Sequence, residues 1–189
     1  MSQNYKARDD DKAYFITMTV VHWIDLFTRR NHKNTIIESL KYCQKNKGLE
    51  LYGFVIMPSH IHLLCRVNPN FHFSDFIRDF KRHTSKTLIT NIENEIESRR
   101  EWLLEKFTTS ADNAKKEQKY KIWQDGYHAI DTWSNHFIYQ KLNYIHQNPV
   151  TDGMVTKPED YLYSSARNYA DLESVIDIVL LPPQLKTVW

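Results

Sequence analysis

Residues 53–67 read Gly-Phe-Val-Ile-Met-Pro-Ser-His-Ile-His-Leu-Leu-Cys-Arg-Val, and they limit the possible folds more than any other stretch. The first half is apolar up to Met57, and Pro58-Ser59 is a turn signal. From His60 the chain alternates: Ile61, Leu63, Cys65 and Val67 on one face, His60, His62, Leu64 and Arg66 on the other. This is a β-hairpin whose second strand begins His-Ile-His. Side chains at i and i+2 of a strand point the same way, roughly 6.6 Å apart along the chain. The two imidazoles are therefore either hydrogen-bonded surface histidines or a pair able to lean onto one metal ion. The motif alone leaves both readings open.

The surrounding pattern supplies the rest of a sheet. Residues 14–23 alternate with Tyr14, Ile16, Met18 and Val20 on one side and Phe15, Thr17, Thr19 and Val21 on the other, predicting a first strand. Ile36, Ile37, Leu40 and Cys43 set helical spacing over 34–46, with Gly48 as a stop. Residues 49–57 and 60–67 are strands two and three. Ser74 is a candidate cap for a second helix with Phe73, Ile77, Phe80 and Leu88 inward and Arg78, Lys81, Arg82 and Lys86 outward. That helical pattern runs on through Ile92, Ile96, Leu103 and Phe107. Residues 120–127 suggest a fourth strand. Ser134 caps a late helix that is expected to end before Pro149.

The order β-α-β-β-α-β predicts an α+β fold, the ferredoxin-like split arrangement, with an antiparallel sheet and its first two helices on one face. The late helix then covers the face that carries His60 and His62. At 189 residues the chain suits one domain, taken as 13–170, with a polar arm at 1–12, a charged helical insertion at about 91–121 and a C-terminal extension at 171–189. Only 4 glycines leave little room for a glycine-rich phosphate loop, and a net charge of +2 requires any nucleic-acid surface to be local. Cys43 and Cys65 fall in a helix and a strand and read as reduced packing residues, which points to the cytoplasm. No apolar run is long enough to cross a membrane.

In the late helix Ile138, Leu142 and Ile145 form the core stripe, and Phe137, Lys141, Tyr144 and Asn148 follow about 100° round from it. One flank thus presents an ammonium, a phenol and a carboxamide. Tyr144 is either a half-buried surface tyrosine or a group standing over an ion held by the histidines. Asn148 either ends the helix or reaches that ion. Trp123, Tyr127 and Trp133 are candidates for stacking unpaired bases, or core residues.

The combination of His60-Ile-His62 after Met57-Pro58-Ser59, Trp123-Gln-Asp-Gly-Tyr127, Tyr144-Ile-His-Gln-Asn-Pro-Val150 and Tyr163-Ser-Ser165 resembles the single-tyrosine HUH transposases of the IS200-like superfamily. The likeness is greater to the branch associated with repetitive extragenic palindromes (REP), and it covers most of residues 13–170. It implies that His60, His62 and Asn148 hold a divalent metal, Mg²⁺ or Mn²⁺, and that Tyr144 is the nucleophile. It implies cleavage and rejoining of single-stranded DNA, with a hairpin as the recognised partner, by a monomer or a homodimer. Arg78, Lys81, Arg82 and Lys141 are the candidate phosphate contacts. Two other classes fit the residues: a domesticated hairpin-binding protein that no longer cleaves, and a metal-dependent hydrolase that needs no tyrosine.

Overall fold

A computed structural model of the chain describes residues 12–112, 118–131 and 134–182. Most of the expected N-terminal arm, part of the charged insertion, Trp133 and the last seven residues lie outside the described residues. Four strands, β1 (Tyr14–Thr19), β2 (Leu49–Ile56), β3 (His60–Val67) and β4 (His128–Asp131), form one sheet in the order β2-β3-β1-β4. All pairs are antiparallel, as the ferredoxin-like expectation requires. The helices are α1 (Arg30–Asn46), α2 (Phe73–Asn94), α3 (Arg100–Asp112), α4 (Asn135–Thr151) and the single turn α5 (Ala166–Tyr169).

Strand alternation fixes which helix covers which face. The Tyr14 ring packs on Phe73 of α2 with centroids 4.9 Å apart. The next residue, Phe15, packs on Tyr144 of α4 at 5.8 Å. Consecutive strand residues point to opposite faces, so α2 and α4 lie on opposite sides of the sheet. Between the sheet and α1 and α2 sits a core of Ile16, Met18, Ile36, Leu40, Phe76, Phe80 and Leu88, all buried.

The other face is held by a close approach at Gly53. A Cβ there would stand 2.7 Å from Leu142 Cδ1 and 3.6 Å from Ile145 Cδ1, so only glycine lets α4 come this near to β2. Ser134 caps α4, its hydroxyl accepting from the Phe137 N–H at 3.2 Å. At the other end Gly153 (φ 72°) closes a Schellman turn: its N–H donates to Val150 O, and Met154 N–H donates to Pro149 O.

Several boundaries differ from those read in the sequence. Strand β1 stops at Thr19, because Val20 joins only an isolated bridge to Trp123 and residues 21–23 turn as a 3₁₀ helix. Helix α2 begins at Phe73 with His72, not Ser74, at the cap position. The helical pattern through 107 is two helices, broken where buried Glu97 accepts from the Arg29 guanidinium at 3.1 Å and from the Arg99 N–H at 3.0 Å. Ile96, in that break, is exposed rather than inward. The fourth strand is 128–131, not 120–127. Helix α4 continues through Pro149, which has no N–H to give the Ile145 carbonyl, and the helix closes soon after, with Asp152 N–H donating to Asn148 O at 3.0 Å.

Residues 161–165 lie along the outer edge of β2, with Ile56 N–H donating to Tyr163 O at 3.0 Å and Ser165 N–H to Phe54 O at 2.9 Å. The extension after residue 170 adds to this cover: Val179 N–H donates to Leu51 O at 2.8 Å, and Ile176 is buried. An edge that would otherwise invite another strand is closed. Among the described residues no helix is long and apolar enough to cross a membrane.

Candidate active site

The His60–His62 strand and the Lys141–Tyr144–Asn148 flank of α4 meet on the Gly53 face of the sheet. The imidazoles of His60 and His62 have centroids 4.8 Å apart, and the Tyr144 ring stands edge-on to His62 at 5.3 Å. Tyr144 is 47% exposed, so its phenol is neither in the core nor on the far side of the sheet. Lys141 extends its ammonium over three rings, 4.9 Å from the centre of Phe15, 5.0 Å from Phe137 and 5.7 Å from Tyr144.

His62 is almost fully buried, and its Nδ1 is 2.8 Å from Thr17 Oγ1 across the β1–β3 register. Its Nε2 is buried with no hydrogen-bond partner. A native protein rarely leaves such an atom unsatisfied. In the tautomer whose Nδ1–H donates to Thr17, the Nε2 lone pair is the free one, and that is the tautomer a metal ligand needs. Burial, then the neighbouring His60 and Lys141, pushes the His62 pKa down to about 3. His60 is also lowered by burial, with Asp152 at the end of α4 pulling the other way. Both rings are therefore held neutral. His60 Nδ1 lies 3.2 Å from Ser59 Oγ.

Asn148 points its Nδ2 at the Tyr144 carbonyl, 2.8 Å away, which leaves Oδ1 as the atom available to a ligand. Among the described residues no group of three or more His, Cys, Asp or Glu side chains gathers as a metal site. The nitrogen donors that the fold puts side by side are the two imidazoles, and the orphaned Nε2 of His62 is the atom that fits an ion; Asn148 stands one helical turn beyond Tyr144.

The other expected residues are elsewhere. Arg78, Lys81 and Arg82 are on α2, behind the sheet. Arg78 pairs with Asp75 at 2.6 Å and Asp79 at 3.1 Å, Arg82 with Asp79 at 3.4 Å. The Lys81 ammonium donates to the carbonyls of Gln124 and Gly126. They border a groove of about 600 Å³ between α2 and residues 118–126, along with Lys86, Lys119 and Lys121. Trp123 is core, its indole N–H donating to Thr84 Oγ1 at 3.0 Å. Tyr127 is half-buried against Phe73.

Two residues that seat α4 carry no functional pattern in the sequence. One is Gly53. The other is His146, whose Nε2 is 3.0 Å from the Ser165 hydroxyl, which also accepts from the Phe54 N–H. Burial lowers the His146 pKa to about 4, so a neutral ring ties α4 to β2 and to the 161–165 segment. A glycine amid a β-run was the only signal for either.

Among solved structures the chain is similar to a REP-associated tyrosine transposase bound to a REP hairpin, with TM-score 0.64, 17% identity and 100% of both chains covered. A protein of Deinococcus radiodurans R1 proposed as a transposase matches at TM-score 0.44 and 17% identity, over 77% of this chain and 94% of that one. Among curated proteins there is no match. The family model for IS200-like transposases matches residues 13–118, more than half of the sequence. The chain belongs to the IS200-like transposase family.

Proposed function

We propose that this transposase cleaves and rejoins single-stranded DNA through a covalent bond between Tyr144 and a 5′ phosphate. What supports the reading is one cluster: the Tyr144 ring beside His62, which sits beside His60, with the His62 Nε2 buried and unpartnered and solvent access at the phenol. The phenolic oxygen attacks phosphorus, the P–O3′ bond breaks, and the phenolic proton ends on the departing 3′ oxygen. A second 3′-OH reverses the step and releases the tyrosine. The phosphodiester energy stays in the intermediate, so no nucleotide triphosphate is consumed.

His60, His62 and Asn148 would hold Mg²⁺ or Mn²⁺, which supplies charge neutralisation at a phosphate oxygen. Lys141 adds a fixed positive charge beside the phenol. Thr17 orients His62, and Phe15 backs both rings. The hairpin is carried over from the REP-associated relative, which was solved bound to one. Phosphate contacts are assigned to Lys141 at the site and to Arg78 and Arg82 at the groove. Lys81 joins that edge, with its ammonium already donating to two carbonyls. Both cysteines are free and buried, which suits a reducing interior where DNA is found.

The test is a covalent protein–DNA band with single-stranded hairpin DNA and Mn²⁺, comparing wild type with Tyr144→Phe. Only wild type should form it. Equal cleavage by both proteins would move the assignment to a metal-dependent hydrolase, and tight binding without cleavage would move it to a domesticated hairpin binder.

A further inference from the structure

Between β1 and α1 the chain takes a conformation that side chains resist. His22 and Trp23 both have φ of 55°, in the left-handed region that non-glycine residues seldom enter. Such strain persists only where the surroundings over-determine it. Here they do. Val20 N–H donates to Ser59 O at 2.9 Å and Phe27 N–H to Pro58 O at 2.8 Å, which fastens the segment to the turn that opens β3. Val21 N–H donates to Ile122 O at 2.8 Å, and the His22 ring meets Ser110 Oγ at 3.0 Å.

Val21, Ile24, Leu26 and Phe27 are all buried in this segment, but Trp23 is 61% exposed. The indole stands against His60, with centroids 5.6 Å apart and planes at 72°. At that angle the imidazole covers at most one indole face. Trp23, His60, His62 and Tyr144 therefore make a row of four rings with successive separations of 5.6, 4.8 and 5.3 Å. The tyrosine is at one end of the row and the exposed indole at the other.

We propose that Trp23 is the stacking platform for an unpaired base next to the phosphate that Tyr144 attacks. This rests on the strand-transfer reading above and adds to it the residue that fixes the register of the strand. Every base has a π-face, and an aromatic ring held in water beside a phosphate site offers the surface on which one settles. The strained backbone holds the indole outside the core, where its apolar neighbours go.

The test is a stacking cycle. Binding is measured for a labelled hairpin oligonucleotide with single-stranded flanks, either intact or with one abasic position walked along the flank. The proteins are wild type, Trp23→Ala and Trp23→Phe. Trp23→Ala should weaken binding about 5- to 150-fold, also at raised salt, and Trp23→Phe should recover most of the loss. One abasic position should weaken wild type by a similar factor and leave Trp23→Ala unchanged. Equal affinities for wild type and Trp23→Ala, or the same abasic penalty in both proteins, would overturn the proposal. Thermal melts of both variants, at an exposed side chain, guard against a folding artefact. The covalent band separates the two claims. A band with a flat abasic series discards the stacking role and keeps strand transfer; a position-specific abasic effect without a band does the reverse.

Discussion

Tyr144 and His62 of the same chain have ring centres 5.3 Å apart. If the site proposed above is built from this phenol and imidazole pair, one polypeptide completes it without a second subunit. Mixing Tyr144→Phe with His62→Ala should therefore give no covalent adduct above background. If the active site were shared between subunits, the mixture would regain part of the wild-type yield through hybrid dimers. Sedimentation of wild type with and without DNA would show whether dimers exist to be tested.

Thr17 holds the His62 ring through Nδ1 and leaves Nε2 facing away from the hydroxyl. Replacing it with valine keeps the shape and removes the hydroxyl that Nδ1 meets at 2.8 Å. Partners that orient a ligating histidine are worth roughly 10- to 100-fold in metal affinity. Thr17→Val should weaken Mn²⁺ binding by about that factor in calorimetry, while hairpin affinity without metal stays the same. An unchanged Mn²⁺ isotherm would remove Thr17 from the site.

Lys141 is placed to act on charge rather than on packing. Its ammonium is within 5.7 Å of the Tyr144 ring centre and close enough to His62 to help keep that ring neutral. Lys141→Met keeps most of the stem and removes the ammonium from the Phe15, Phe137 and Tyr144 rings. It should slow adduct formation by roughly 100- to 1,000-fold with little change in melting temperature. Lys141→Arg should restore part of the rate. A variant as fast as wild type would limit Lys141 to covering the aromatic rings.

The meeting of the histidine strand with the tyrosine flank of α4 is legible in the sequence because both are periodic. His-Ile-His alternates with core residues, and Tyr144 and Asn148 keep step with Lys141 one face away from Leu142 and Ile145. What escaped were features that periodicity does not encode. The stretch 120–127 has the composition of a strand. Yet among the described residues its one ladder contact is an isolated bridge from Trp123 to Val20, and the Lys81 ammonium takes the carbonyls of Gln124 and Gly126. The apolar rhythm of α2 and α3 is continuous across Glu97, and only the two arginines that converge on it reveal the break. Trp23 looked like the last residue of β1. Its exposure follows from two left-handed residues that no local pattern announces.

Gly53 controls how far α4 stands from the sheet. A methyl group there would meet Leu142 Cδ1 at 2.7 Å, well inside contact distance. Gly53→Ala should cost about 1–3 kcal/mol through overpacking, and about 2–12 °C in melting temperature for a chain of this size. Because the displaced helix carries Tyr144, adduct formation should fall more than stability alone explains. Leu142→Ala in the same chain makes room for the methyl group. It should return part of the adduct yield even though it removes core volume. A double variant no better than Gly53→Ala would show that α4 is positioned by other contacts.

His32 gives a pH dependence away from the catalytic face. It is 1% exposed in α1, with Nδ1 2.9 Å from the Leu26 carbonyl. Burial, its largest influence, lowers its pKa below the ordinary value of 6.5, against the opposing pull of the Leu26 carbonyl and nearby Glu97. Below that value the unfolded chain takes up a proton that the folded chain does not. Folding stability therefore falls as pH drops through 6.5 and stops falling from this cause below the folded pKa. A single histidine contributes at most about 1.4 kcal/mol per pH unit to that slope. Urea midpoints measured from pH 7.5 to 5 should decline less steeply for His32→Gln than for wild type. The difference between the two slopes is the readout, since the substitution lowers stability at every pH. Parallel slopes would mean that His32 takes up its proton equally well in both states.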